Sequence, residues 1–260
     1  MTYLYLVGAI IVGVSMGILG SGGSILTVPI LVYILHRPEK LAILESLAIV
    51  GSIAFVSAFS YGYRKQIDWK SVCFFGLPGI VGAYLGASQA HFISGRIQLI
   101  LFSLTMIGVA CAMFRDGNVP IIERIDQKNS NWMTICQGLL IGVLTGLIGA
   151  GGGFIIVPTL TILRQLDIKQ AIGTSLVIIT MNTLTGFIQQ FVSLHPLSME
   201  SNWLIIGIFA FFGIIGSLVG SYYADKIPQK SLKRVFGVCV LSLGLLIFFQ
   251  QFSQTFFSSL

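Results

Sequence analysis

Charge is what this sequence has least of. Only 9% of its 260 residues are Asp, Glu, Lys or Arg, against roughly 25% in a soluble domain, and a water-exposed globule cannot be built from such a chain. Its four cysteines, Cys73, Cys111, Cys136 and Cys239, stand alone without C-x-x-C spacing, and its three histidines, His36, His91 and His195, form no cluster. A metal or redox centre therefore has no ligand supply, and neither metal nor cofactor is expected. No catalytic motif of a soluble enzyme is present, and the spans carry no clustered acids and no serine-histidine pairing, so the chain is read as a non-enzyme. Its start, MTYLYLVGAIIVG, has no basic n-region and no small-residue cleavage site; it is expected to stay as a membrane segment.

What is present is apolar. Hydrophobic residues make up 55% of the chain with 30 glycines among the rest, and the mean hydropathy is +0.92. The fold class expected is an all-α polytopic membrane protein. Apolar stretches run over 3–35, 41–61, 72–90, 97–114, 132–163, 171–194, 203–224 and 232–249, each long enough to cross a hydrocarbon core of about 30 Å. Two of them, 3–35 and 132–163, exceed what one crossing needs, and each has a glycine cluster in its middle: GILGSGGSILTVP (17–29) and GLIGAGGGFIIVP (146–158). Such clusters break a helix.

The two clusters also expose an internal repeat. Gly13, Val14, Gly17, Gly20, Gly22, Gly23, Val28 and Pro29 recur 129 positions later as Gly142, Val143, Gly146, Gly149, Gly151, Gly152, Val157 and Pro158. The same shift pairs Ala42, Ile43, Ser46 and Leu47 with Ala171, Ile172, Ser175 and Leu176, and a shift of 134 pairs GIVGAYLG (79–86) with GIIGSLVG (213–220). The chain divides into a first transmembrane repeat, 1–114, a polar linker, 115–131, and a second transmembrane repeat, 132–260. Gly82, Gly86, Gly216 and Gly220 are read as small residues that let helices cross closely.

Basic residues decide how the halves are arranged. If each long stretch crosses once, the 15 Lys and Arg spread over both sides with little bias. If each glycine cluster instead turns the chain back as a hairpin, Arg37, Lys40 and Arg96 lie on one side and all other basic residues on the other. The hairpin arrangement satisfies the positive-inside rule. It predicts two inverted five-segment repeats, each opening with a glycine-rich broken helix, with both termini outside and the linker cytoplasmic. The segments after the clusters, 25–35 and 154–163, are too short to cross alone, so the hairpin tips are expected near mid-depth, where irregular backbone must be buried or line a cavity. Inverted repeats with broken helices are the architecture of secondary transporters.

The tips themselves suggest a ligand. Gly20, Ser21, Gly22, Gly23 and Ser24, and likewise Gly149, Ala150, Gly151, Gly152 and Gly153, free backbone amides where a half-helix begins, and the helix dipole adds about half a positive charge there. A small oxyanion could be held by these neutral donors, with the hydroxyls of Ser21 and Ser24 beside them. Ser46, Thr174 and Ser175 are candidates to face the same cavity. Asn182, deep in its span, is read either as a ligand contact or as a helix-helix hydrogen bond. Gln189, Gln190 and His195 are read as an interfacial polar cap, and Trp69, Trp132 and Trp203 as interfacial anchors.

GSGGSILTVP and GAGGGFIIVP, the latter followed by AIGTSLVII, give the chain a doubled glycine-hairpin motif that resembles the sulfite exporter TauE/SafE family of membrane anion permeases. The resemblance implies cofactor-free transport of sulfite or organosulfonates, usually outward, by a multi-pass plasma-membrane protein. The sequence departs from the pattern where A-x-G-T-S at 171–175 becomes A-I-L-E-S at 42–46, so that Glu45 stands in place of a threonine. Glu45 is either a proton-coupling group or a carboxylate stabilised at the interface or by its own helix N-terminus. A passive anion channel and a proton-coupled carrier using Glu45 remain the alternatives to a permease. Expected partners are the small anion and the lipid bilayer, with a homodimer as an assembly option and no nucleic acid.

Overall fold

A computed structural model of the chain describes residues 2–20, 22–116, 131–149, 151–194, 201–224, 226–227 and 229–257. They form α-helices: α1 (Thr2–Leu19), α2 (Gly22–Pro29), α3 (Glu39–Tyr63), α4 (Trp69–Ser71), α5 (Leu77–Ala90), α6 (Gly95–Asp116), α7 (Asn131–Ile148), α8 (Gly153–Leu163), α9 (Ile168–Ser193), α10 (Trp203–Ala224) and α11 (Gln229–Phe257). A π-helical turn, Ile30–Ile34, prolongs α2, and a second, Val72–Gly76, joins α4 to α5 into one span, Trp69–Ala90. Among the described residues, six helices are long and apolar enough to cross a membrane. The shorter apolar helices are consecutive in sequence, α1 then α2 and α7 then α8. The linker lies mostly outside the described residues.

Helix directions follow from which residues meet. α3 and α9 cross antiparallel, with Gly51 against Thr183, Leu47 against Gly186 and Tyr61 against Gly173. α6 and α11 are antiparallel too, Phe114 lying on Gly237 and Met106 on Gly244. α1 runs parallel to α10 and α5 parallel to α7, and both pairs touch backbone to backbone. A Cβ added at Gly142 would overlap the Gly79 carbonyl, and one at Gly13 the Gly213 carbonyl. Gly82, Gly86, Gly216 and Gly220 sit in these crossings, in line with their reading as small-residue contacts.

The repeat seen in the sequence is matched by local geometry. His36 and Gln165, 129 positions apart, both adopt left-handed backbone (φ 50° and 54°) where the chain leaves a hairpin's return arm. The core between the hairpins is filled by Met16, Leu31, Ile49, Phe102 and Phe154, with the Phe102 and Phe154 rings edge to face at 5.2 Å. Leu140, Leu184, Leu204 and Phe211 are exposed; an apolar exterior of this kind fits a bilayer and not water. Trp69, Trp132 and Trp203 are exposed at the starts of α4, α7 and α10, as interfacial anchors are.

Candidate functional site

The second hairpin breaks at four positions between α7 and α8. Gly149 ends α7 with φ 71° and donates its amide to the Thr145 carbonyl at 2.9 Å; Gly151 and Gly152 follow at φ 69° and 67°. These left-handed positions cost an L side chain about 1–2 kcal/mol each, which is why glycine stands there. The break frees carbonyls as well as amides, and side chains from three helices cover the carbonyls. Gln190 of α9 donates to Gly146 O at 3.3 Å, and Gln98 of α6 to Leu147 O at 2.7 Å. Ser46 of α3 shares its proton between Ile43 O at 2.7 Å and Gly149 O at 3.3 Å. The amides of Gly151, Gly152, Gly153 and Phe154 have no acceptor among the described residues. Donors without acceptors, at the positive end of the 11-residue α8, make the second tip electropositive without a charged side chain.

The first hairpin repeats the plan. Gly20 has φ 71° and donates to Met16 O at 2.8 Å. Tyr61 donates to Gly17 O at 2.8 Å, 129 positions before the Gln190 and Gly146 pair. Each tip docks on the other half: a Cβ at Gly20 would press on Ile172, and one at Gly149 on Ile43. Ile43 lies one turn inside α3, about 6 Å from its start, whereas Gly151 packs on Val50, about 16 Å in. Gly151 thus packs near the middle of α3, while Gly20 and Gly149 reach closer to opposite ends of the α3–α9 pair. The arms are longer than the sequence implied, because α2 and α8 begin within the glycine clusters, at Gly22 and Gly153.

Among the other residues singled out in the sequence, Ser24 is buried and Gly23 packs against Met16. Ser21 and Ala150 lie outside the described residues. Ser175 bonds its own helix at Ile172 O, and Thr174 accepts the Asp68 amide at 2.9 Å. Glu45 is fully buried and is held by Arg37 at 2.5 and 3.2 Å and by the Asn202 amide at 2.9 Å. Asn182 is 3% exposed, and neither its oxygen nor its nitrogen has a partner among the described residues, so no helix-helix hydrogen bond is seen among them. It faces Gly79 at the α5–α7 crossing. Sequence reasoning missed Gln98, Thr145 and Thr183, and placed Gln190 at the interface, whereas it is buried beside Gly149. The sequence did hold a clue, since Gln190 is the 129-shifted counterpart of the tip-capping Tyr61.

Over residues 5–247 the chain matches the family described as sulfite exporter TauE/SafE. The chain belongs to the sulfite exporter TauE/SafE family. A probable membrane transporter protein of Xylella fastidiosa is 31% identical over 94% of this chain and 94% of its own length. One of Methanocaldococcus jannaschii is 32% identical over 69% and 70%, and one of Bacillus subtilis is 26% identical over 90% and 93%. No solved structure matches the chain. This TauE/SafE protein is a multi-pass membrane transporter and not an enzyme.

The transporter also carries an apolar groove between α3 and α9. One part, about 320 Å³, is lined by Leu47, Gly51, Phe55, Thr180, Thr183 and Phe187. Gly151 packs on the methyl of the same Thr183, so one threonine separates the groove from the second tip.

Proposed function

We propose that this transporter moves a small oxyanion, sulfite or an organosulfonate, outward across the plasma membrane, with the amides of Gly151, Gly152, Gly153 and Phe154 as its principal seat. The observation that carries this reading is the division of polar groups at the second tip: Gln98, Gln190 and Ser46 take up the carbonyls, and the amides are left over. Neutral donors hold an anion without the deep trap that a buried cation would create. Two hairpins packed across one another, with α3 antiparallel to α9, support inverted repeats that exchange conformation during transport. The basic-residue bias supports an orientation with the Arg37 end outside and the linker in the cytoplasm. Glu45, already paired with Arg37, is poorly suited to relaying protons, which favours a permease over a proton-coupled carrier.

Reconstitution in liposomes tests the reading. Sulfite and small sulfonates should leave protein-containing liposomes faster than protein-free ones under a negative interior potential, and Gly151→Leu, which fills the seat, should reduce that flux to background. Wild-type flux through Gly151→Leu would remove the second tip from the pathway.

A further inference from the structure

We propose that Arg37, Glu45 and the Asn202 amide form an ionic clamp that closes one end of the transporter and is not matched by a direct buried ion pair at the other among the described residues. The inference rests on reading the two repeats as inverted, so that equivalent residues sit at opposite ends. Glu45 binds Arg37 in a bidentate pair and accepts the Asn202 amide at 2.9 Å. Arg37 in turn is tied by its own amide to Leu31 O at 2.9 Å, at the end of the first hairpin's return arm. Asn202 caps α10, its side chain accepting the amides of Leu204 and Ile205 at 3.1 and 3.2 Å. One carboxylate thus joins the hairpin arm, α3 and α10.

The second repeat has the same joint without a carboxylate on its long helix or a direct ion pair: Arg164, which ends the second return arm, donates to Ser71 Oγ at 3.2 Å, and Ser71 donates to Asp68 at 2.6 Å. Thr174, 129 positions after Glu45, accepts the amide of Asp68, which caps α4 with its side chain; Asp68 precedes its span as Asn202 precedes α10. The position of Arg37 is taken by Leu166. The backbone-amide bond is therefore common to both ends, and among the described residues a direct ion pair between hairpin arm and long helix is found at one, where the other has Arg164 bonded to the neutral Ser71. A fully buried carboxylate is stable only while paired, so separating the hairpin arm from α3 at this end carries a larger penalty than breaking the part-buried Arg164–Ser71 bond at the Thr174 end. The clamp biases the resting transporter toward opening at the Thr174 end, the cytoplasmic side under the positive-inside reading, where an exporter loads.

Cysteine accessibility tests the clamp without any cargo. Ala42 and Ala171 are equivalent, fully buried and one turn inside α3 and α9, and each serves as a single reporter, Ala42→Cys or Ala171→Cys, in a background with the four native cysteines changed to serine. The clamp is removed by the pair Arg37→Leu and Glu45→Thr, which gives the first repeat the residues of the second and leaves no unpaired charge. In liposomes, maleimide labelling at Ala42→Cys should rise about tenfold while Ala171→Cys stays level or falls, the signature of a shifted two-state equilibrium. Arg37→Lys, which keeps the charge but loses the bidentate geometry, should give an intermediate rate at Ala42→Cys and serves if the double variant does not insert. No rise at Ala42→Cys in either variant overturns the clamp, and so does an equal rise at both reporters, which would mark general loosening. Since no anion is added, the labelling result is independent of whether the proposed cargo is correct.

Discussion

Placing a single methyl group on Gly151 tests the geometry on which the anion seat depends. Gly151 has φ 69°, and its added Cβ would lie 2.7 Å from Thr183 Cγ2 and 3.2 Å from Val50 Cγ1. The left-handed backbone costs about 1–2 kcal/mol for any L residue, and overpacking a tight contact costs about 1–3 kcal/mol more, so Gly151→Ala should lose about 2–5 kcal/mol of stability. The steric part has one main source, and Thr183→Ser removes it by deleting Cγ2. The double variant should therefore regain about 1–3 kcal/mol over Gly151→Ala, although Thr183→Ser alone is mildly destabilising through loss of a buried methyl. Thermal unfolding of the four proteins in detergent, read as a double-mutant cycle, gives the coupling directly. Gly151→Ala as stable as wild type would refute the left-handed tip, and failure of Thr183→Ser to relieve it would refute the contact between tip and α9.

Three further outcomes are expected. Gln190→Leu should leave the Gly146 carbonyl without its donor, at about 1–3 kcal/mol, and slow anion flux; unchanged stability would mean that the bond at 3.3 Å contributes nothing. Asn182→Ile should raise the unfolding temperature, because the amide is buried without partners and Ile53, its 129-shifted counterpart, fills the matching place against Gly213; a gain of about 1–3 kcal/mol is the scale of one relieved orphan group. If flux falls while stability rises, Asn182 contacts the cargo, and a loss of stability would show that it has a partner. Cysteines at Asn129 and at His195 should react with an impermeant reagent from opposite sides of the membrane, the first from the cytoplasm, and labelling from one side would defeat the hairpin topology.

Much of the architecture was legible because it is written locally. Hydropathy marks the spans, and two glycine clusters with a 129-residue offset mark the hairpins, since a helix break needs residues adjacent in sequence. The tip environment was not legible in the same way. Gln98, Gln190 and Ser46 come from three helices to cover three neighbouring carbonyls, and nothing in the spacing of those residues along the chain signals that convergence. Glu45 was recognised as a departure from the repeat, but its meaning depends on Arg37 folding back across a turn with left-handed backbone at His36. The return arms were also placed too short, at 25–35 and 154–163, because Gly22 and Gly153 already belong to helices.

The energy source of transport is the last consequence to test. An anion leaving a cell with a negative interior moves down the electrical gradient, and each charge crossing 100 mV releases about 2.3 kcal/mol, a bias of roughly 50-fold. Outward movement thus requires no nucleotide and no obligatory coupled ion. Glu45 is the acid buried within a described span, and its bidentate bond to Arg37 together with the Asn202 amide holds it as a structural charge. Making the liposome interior negative should therefore accelerate sulfite efflux, with no accompanying proton movement, and a pH gradient imposed at zero potential should drive little net transport. Efflux that ignores the potential but follows the proton gradient would make the protein a proton-coupled carrier, and the assignment of Glu45 to a fixed pair would then be wrong.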